Sequence, residues 1–351
     1  MIKEILEEPL VIKRTILEEQ ENIRRIANKI KTEDYKMAYI TGSGTSYHAG
    51  LVGQYILSNL TSLTANTILA SEFQHWIPSN LSRKTLLIAI SQSGESRDVI
   101  EATKFALKKG IDILAITSTP ESTLARLASY IIFPRSGREV AVPATKTYVA
   151  HLTAVFMLAT ELAALEETTT NVKVLKERLY DMPNVVEEIF RREKEEVYKA
   201  AKRYCNKNLI FVLGSGPNYA TALEAALKLK ETCMVFAEGF AAREFLHGPI
   251  RLIDERALMI LISPSDEVSN YVSLARSFKG FGADVLSILE ETEDSKILAE
   301  LSDSVFYVPY GLPKFFSPIV FIVPIQLFAY YMSVLKGLNP DNPEKLVKVV
   351  K

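Results

Sequence analysis

Short apolar runs alternate along this chain with longer segments in which apolar residues recur at helical spacing. Met37–Thr41, Thr85–Ile90, Ile111–Ile116 and Tyr130–Phe133 have the length and composition of buried strands. The first breaks into Gly42-Ser43-Gly44-Thr45-Ser46 and leads to a helical pattern from Tyr47 to Leu60. The second enters Ser91-Gln92-Ser93-Gly94-Glu95-Ser96 and then a helix from about Arg97 to Lys109. Strand, polar loop and helix in alternation predict an α/β fold with a parallel sheet covered on both faces. Ahead of this, residues 2–31 are charged and helical, with Ile12, Ile16, Ile23, Ile26 and Ile30 on one face, which fits an arm or an interface helix. After Thr145 the pattern is helical to about Leu165, passes a Glu- and Thr-rich patch near 166–171, and is helical again to about Tyr204. Leu209–Leu213 then reads as a strand running into Gly214-Ser215-Gly216, and the alternation resumes.

The second half repeats the first. At a shift of 172 residues, Gly42, Ser43 and Gly44 fall on Gly214, Ser215 and Gly216, and Tyr47 falls on Tyr219. Glu72, Phe73 and His75 fall on Glu244, Phe245 and His247; Ser91 and Ser93 on Ser263 and Ser265; Gly110 and Asp112 on Gly282 and Asp284. No gap is needed between Gly42 and Asp112. Two like domains follow, each with a parallel sheet of about five strands, since chance matching of apolar strands does not also align glycines and histidines.

Composition narrows the function without choosing it. A chain of 351 residues with 48% apolar and 24% charged residues and a formal net charge of −1 is expected to form two ordinary globular domains, with no general basic bias toward nucleic acid or an acidic membrane. Cys205 and Cys233 are the only cysteines and suggest neither a disulfide framework nor a zinc site, which suits the cytoplasm. The charged N-terminus lacks the apolar core of a signal peptide. Phe315–Leu335 carries no charge and approaches spanning length, but Pro318, Pro324, Gln326 and Ser333 interrupt it, so a buried core or interface helix is expected instead.

The candidate chemistry lies at strand ends and on one helix. Ligands of an open parallel sheet bind where strand C-termini run into helix N-termini. The Ser91–Ser96 loop offers three hydroxyls, an amide and backbone N–H groups there, and Thr45 and Ser46 add two hydroxyls on another strand end, so an anion site is expected. Ordinary N-capping accounts for either loop alone. The second repeat reads Ser263-Pro264-Ser265-Asp266-Glu267-Val268, which removes an N–H, adds a carboxylate and should repel phosphate. If Asn218–Glu231 is helical, Glu224, Lys228 and Glu231 share a stripe at i, i+4 and i+7, where the first repeat has Val52, Ile56 and Asn59. One repeat is expected to bind the anion and the other to carry ionisable catalytic groups.

These residues resemble the double sugar-isomerase (SIS) domain family, in particular the isomerase half of glucosamine-6-phosphate synthases and stand-alone glucosamine-6-phosphate deaminases. The resemblance spans nearly the whole chain. It is carried by Gly44-Thr45-Ser46-Tyr47, Ser91–Ser96, Val142-Pro143-Ala144-Thr145-Lys146, Leu223–Glu231, Glu244–Pro249 and the tail Lys345-Leu346-Val347-Lys348. It implies that Ser46, Ser91, Gln92, Ser93 and Ser96 hold a sugar 6-phosphate and that Val142 gives a backbone contact. It further implies that Glu231 shuttles a proton between C1 and C2 and that His247, reaching in from a partner subunit, opens the pyranose ring. Lys348 would form a Schiff base with the ketose, and Glu224 and Lys228 would shape charge around the open-chain sugar. The residue types suit the task, because one carboxylate can carry the C2 proton to C1 and a histidine can protonate a ring oxygen near neutral pH. Lys348 would need the tail to fold over the pocket and desolvate its amine. Pro143 and Ala144 depart from the family pattern and remove one expected hydroxyl contact. Met1 is followed by Ile2 and the first cysteine is Cys205, so this chain is expected not to draw ammonia from glutamine through an N-terminal cysteine.

The expected organisation is a helical arm over 1–31, a phosphate-binding SIS domain over 32–170, a helical connection over 171–205, a second SIS domain with the catalytic helix over 206–340, and a tail over 341–351 that closes on the site. The expected function is an isomerising deaminase that converts glucosamine 6-phosphate and water to fructose 6-phosphate and ammonia without a metal or redox cofactor. Alternatives are a fructosamine-6-phosphate deglycase, another phosphosugar isomerase, an ammonia-dependent glucosamine-6-phosphate synthase, and a sugar-phosphate sensor without turnover. The expected partners are a small sugar phosphate and a second copy of the chain in a homodimer with a shared site, with no nucleic acid and no membrane.

Overall fold

The computed structural model of the protein describes residues 1–78, 80–81, 84–166 and 171–350. Residues 167–170 of the Glu- and Thr-rich patch, and Lys351 at the end of the tail, lie outside the described residues. The chain forms two compact units. The first comprises residues 7–139, 144–183 and the tail from 347, and the second comprises residues 1–6, 140–143 and 184–346. The boundary falls inside one long helix, Val172–Tyr204, next to its internal Pro183.

The helices in chain order are α1 (Ile2–Leu6), α2 (Glu8–Thr32), α3 (Thr45–Leu60), α4 (Phe73–Trp76), α5 (Arg97–Lys108), α6 (Thr123–Leu127), α7 (Lys146–Ala163), α8 (Val172–Tyr204), α9 (Asn218–Cys233), α10 (Val268–Gly280), α11 (Lys296–Leu301) and α12 (Ser317–Leu335). The first unit holds strands β1 (Met37–Gly42), β2 (Thr64–Leu69), β3 (Thr85–Ile90), β4 (Asp112–Ile116) and β5 (Tyr130–Ile132), all parallel, in the order β2-β1-β3-β4-β5. Alternate residues of each strand face opposite layers. Tyr39, Leu87, Ala89 and Ile113 pack with Phe73, Val99 and Leu124 of α4, α5 and α6. On the other face Ile40 lies against α3, where Gly50 and Gly53 allow a close approach: a Cβ added at either would stand 3.0–3.3 Å from the Ile40 side chain.

The second unit repeats this sheet with β6 (Leu209–Gly214), β7 (Phe236–Ala241), β8 (Ala257–Ser263), β9 (Asp284–Glu290) and β10 (Ser304–Val308), in the order β10-β9-β8-β6-β7. The 172-residue period holds down to strand register: Met37 pairs with Thr64 and Thr85, and Leu209 pairs with Phe236 and Ala257. Phe211, Phe240, Phe245 and Phe278 form an edge-to-face aromatic core on one face of this sheet. The charge-free helix α12 lies against α9, with the Ser333 hydroxyl donating to the Thr232 carbonyl at 2.7 Å. Among the described residues it is the one helix long and apolar enough to cross a membrane, and 78% of its apolar window is buried in protein.

Candidate active site

In each unit the strand order reverses between the first and third strands, and an open parallel sheet has its ligand crevice at that switch point. In the first unit the two loops flanking it are the ones rich in hydroxyls. Thr45 and Ser46 open α3 with partly buried side chains, and Ser91, Gln92, Ser93 and Ser96 lie between β3 and α5. The Ser91–Ser96 loop is built by its own bonds. Ser91 Oγ accepts from Gly94 N–H at 3.1 Å and Ser93 Oγ from Glu95 N–H at 3.1 Å. Gly94 takes φ +63°, and a Cβ there would stand 2.1 Å from Ser122 Oγ, so only glycine closes this turn. Glu95, a carboxylate inside this loop, is turned toward Thr123, accepting its N–H at 2.7 Å and its hydroxyl at 2.9 Å. The loop's one carboxylate is thereby held by α6.

The second unit's equivalent loop is filled by the protein's own charges. Glu290 accepts the Ser265 N–H at 2.7 Å, while Lys314 pairs with Asp266 at 2.9 Å and Glu267 at 3.3 Å. The backbone donor that would greet a phosphate already serves a carboxylate.

The ionisable stripe on α9 forms as expected. Glu224 and Lys228 are fully buried, and Lys228 Nζ lies 3.4 Å from Glu224 and 2.5 Å from Glu231. The Lys228 ammonium is thereby enclosed between two carboxylates of its own helix. Glu231 alone of the three keeps partial exposure and lines a cavity of about 730 Å³. Other walls of that cavity are Leu227, Met234, Val235 and tail residues 342–346. Helix α9 stops there because Met234 turns into the left-handed region at φ 51°. His247 follows a short 3₁₀ turn and is exposed, and its ring makes no hydrogen bond or ion pair among the described residues. Val142 donates its N–H to the Asp341 carbonyl at 2.8 Å, so that donor is engaged by the chain itself.

Lys348 is held differently from the expectation. Its amine is not simply desolvated: Nζ pairs at 2.7 Å with Glu139, whose carboxylate is fully buried. Two residues on, the Val350 carbonyl accepts the N–H of Arg97, the first residue of α5, at 3.3 Å. The tail is therefore fastened beside the Ser91–Ser96 loop. Glu139 also accepts the N–H groups of Thr145 and Thr147 at 2.9 and 3.2 Å. Those donors and Lys348 hold its carboxyl below the usual range although burial alone acts the other way. Sequence reasoning passed over Glu139. Helix α7 has no capping side chain of its own, and its first N–H groups are taken by a carboxylate from outside the helix. A Thr at the N-cap position that makes no cap bond is a signal, but it does not say which residue substitutes for it.

The SIS domain family pattern matches residues 33–161 and 204–336, the two sheets with their helices. The chain belongs to the SIS domain family. It is 37% identical over its whole length to the glutamine–fructose-6-phosphate aminotransferase (isomerizing) of Thermococcus kodakarensis, and 36% identical to that of Methanothermobacter thermautotrophicus. It spans 57% of the length of each. Among solved structures, the C-terminal domain of glucosamine-fructose-6-phosphate aminotransferase from Francisella tularensis superposes with a TM-score of 0.89 at 26% identity, covering 97% of both chains. Glucosamine-6-phosphate deaminase from Thermotoga maritima shares the fold, with a TM-score of 0.77 at 23% identity over 99% of this chain and 98% of that one.

Proposed function

We propose that this SIS protein is a phosphosugar isomerase that deaminates glucosamine 6-phosphate to fructose 6-phosphate. The observation that carries this reading is Glu231: a carboxylate backed by a fully buried Lys228–Glu224 pair and open to a cavity. The whole-length similarity to isomerising aminotransferases agrees with it. In this reading Thr45, Ser46 and the Ser91–Ser96 hydroxyls bind the 6-phosphate, with the α3 and α5 N-termini adding backbone donors. Val142 contacts the sugar through its carbonyl, its N–H being engaged. His247, supplied to a second copy of the chain, protonates the ring oxygen and opens the ring. Glu231 takes the proton from C2 and returns it to C1, turning the 2-amino aldose into a ketimine at C2. Lys348 displaces ammonia from that ketimine, and water then releases fructose 6-phosphate. One water is consumed and one ammonia leaves, with no electron transfer.

The relatives' names favour a second reading in which the same steps run toward glucosamine 6-phosphate with ammonia as nitrogen donor. One experiment tests both: purified protein is given glucosamine 6-phosphate, or fructose 6-phosphate with ammonium, and ammonia and hexosamine are followed. Release of ammonia without net synthesis supports deamination. Net hexosamine formation at modest ammonium supports the synthetic direction. Binding of the sugar phosphate without turnover in either direction removes both.

A further inference from the structure

Resting on the Schiff-base reading of Lys348, we propose that Glu139 is its positioning residue and the counter-ion of the protonated imine that Lys348 forms with a ketose phosphate. Four observations lead there. The Glu139 carboxylate is fully buried and 2.7 Å from Lys348 Nζ, on a tail whose next fastening is the Val350–Arg97 bond at the start of α5. Its other oxygen is fixed by two backbone N–H groups at the N-terminus of α7, so the carboxylate cannot follow the lysine if the tail moves. Among the described residues, a second titratable group facing it is His151 of α7, itself buried and with no hydrogen-bond partner at either ring nitrogen. Burial keeps that imidazole neutral down to about pH 4, so it does not compete with Lys348 for the negative charge.

The step balances with Glu139 unchanged. The ammonium of Lys348 gives up one proton to become the nucleophile, its lone pair forms the bond to C2 of the ketose, a second N–H proton is lost as the C2–O bond breaks, and both protons leave with the former carbonyl oxygen as water. The nitrogen begins and ends with one positive charge, as ammonium and then as iminium. A fixed carboxylate at this distance favours the iminium over its neutral form, and so keeps the imine in the protonated state that draws electrons from C1. A strap whose only task is to hold the tail needs no charge at this point.

The test is reductive trapping. Protein is incubated with fructose 6-phosphate and cyanoborohydride, which reduces the protonated imine, and the adduct is measured by intact mass between pH 6 and 10. Wild type is expected to gain one hexose phosphate adduct that Lys348→Ala does not. Glu139→Gln, which can still accept the Thr145 and Thr147 N–H groups, is expected to bind fructose 6-phosphate as wild type does. Its trapping should fall by tenfold or more at pH 8, with the alkaline limb of the profile at least one pH unit lower, and Glu139→Asp should recover part of the loss. Trapping in Glu139→Gln equal to wild type with the same alkaline limb overturns the counter-ion. If Glu139→Gln no longer binds fructose 6-phosphate, Glu139 belongs to folding or binding and the proposal is overturned. No adduct in wild type, or an equal adduct in Lys348→Ala, overturns the Schiff-base reading and the counter-ion with it.

Discussion

At the scale of single residues, burial separates three carboxylates that look alike in sequence. Glu224 is sealed against Lys228, Glu139 is sealed against Lys348, and Glu231 keeps an open side. Replacing Glu231 by Gln preserves shape and removes the proton carrier, so turnover of glucosamine 6-phosphate is expected to fall roughly 10²–10⁴-fold while sugar-phosphate binding stays within a few fold, as calorimetry and a coupled ammonia assay can show. Lys228→Ala removes the buried ammonium between Glu231 and the fully buried Glu224, and chemical denaturation should find the protein destabilised by about 3–5 kcal/mol. The α9 stripe was legible in the sequence because three residues on one helix face need only the helical period to meet. Glu139 was not, because its partners, Thr145, Thr147 and Lys348, come together through the fold and not through any spacing along the chain.

At the scale of elements, α7 is buried along its length, and that burial fixes the pH response of its histidine. His151 titrates near pH 6.5 in an unfolded chain and at about 4 in the folded one, so below pH 6.5 the unfolded chain binds the extra proton first. Its contribution is fully present above pH 6.5 and is lost as pH falls toward 4, by about 3 kcal/mol across that window. Urea titrations at pH 7 and pH 4.5 should show this loss, and His151→Gln should reduce it. The buried strands were legible from apolar runs alone: the expected Thr85–Ile90 is β3 to the residue. Strand β2 (Thr64–Leu69) was not, because it lies at the sheet edge with only Ala65 buried, and its Thr-Ala-Asn-Thr sequence offers no apolar run. Loops behaved in the opposite way. Their residue types raised the expectation of an anion site, but the turning of Glu95 onto Thr123 and the closure of Gly94 against Ser122 could be known only from the folded chain.

At the scale of the whole molecule, the exposed His247 bears on assembly. If it serves the site of a second copy, a mixture of Glu231→Gln and His247→Ala chains, each inactive alone, should regain about a quarter of wild-type activity after subunit exchange, since half the dimers are mixed and each mixed dimer holds one intact site. Sedimentation of the mixture identifies the species, and failure to complement within a confirmed mixed dimer removes the shared site. The repeat itself was the part of the architecture most fully legible beforehand, because a 172-residue shift that aligns glycines in sequence also aligns strand partners in space. That coincidence of register makes each half the other's internal control. Moving Ser91–Ser96 onto 263–268, together with Glu290→Ala to free the N–H at position 265, compares the same hydroxyl-rich loop on two sheets within one polypeptide. Any phosphate affinity gained there is owed to the loop chemistry and not to the sheet beneath it.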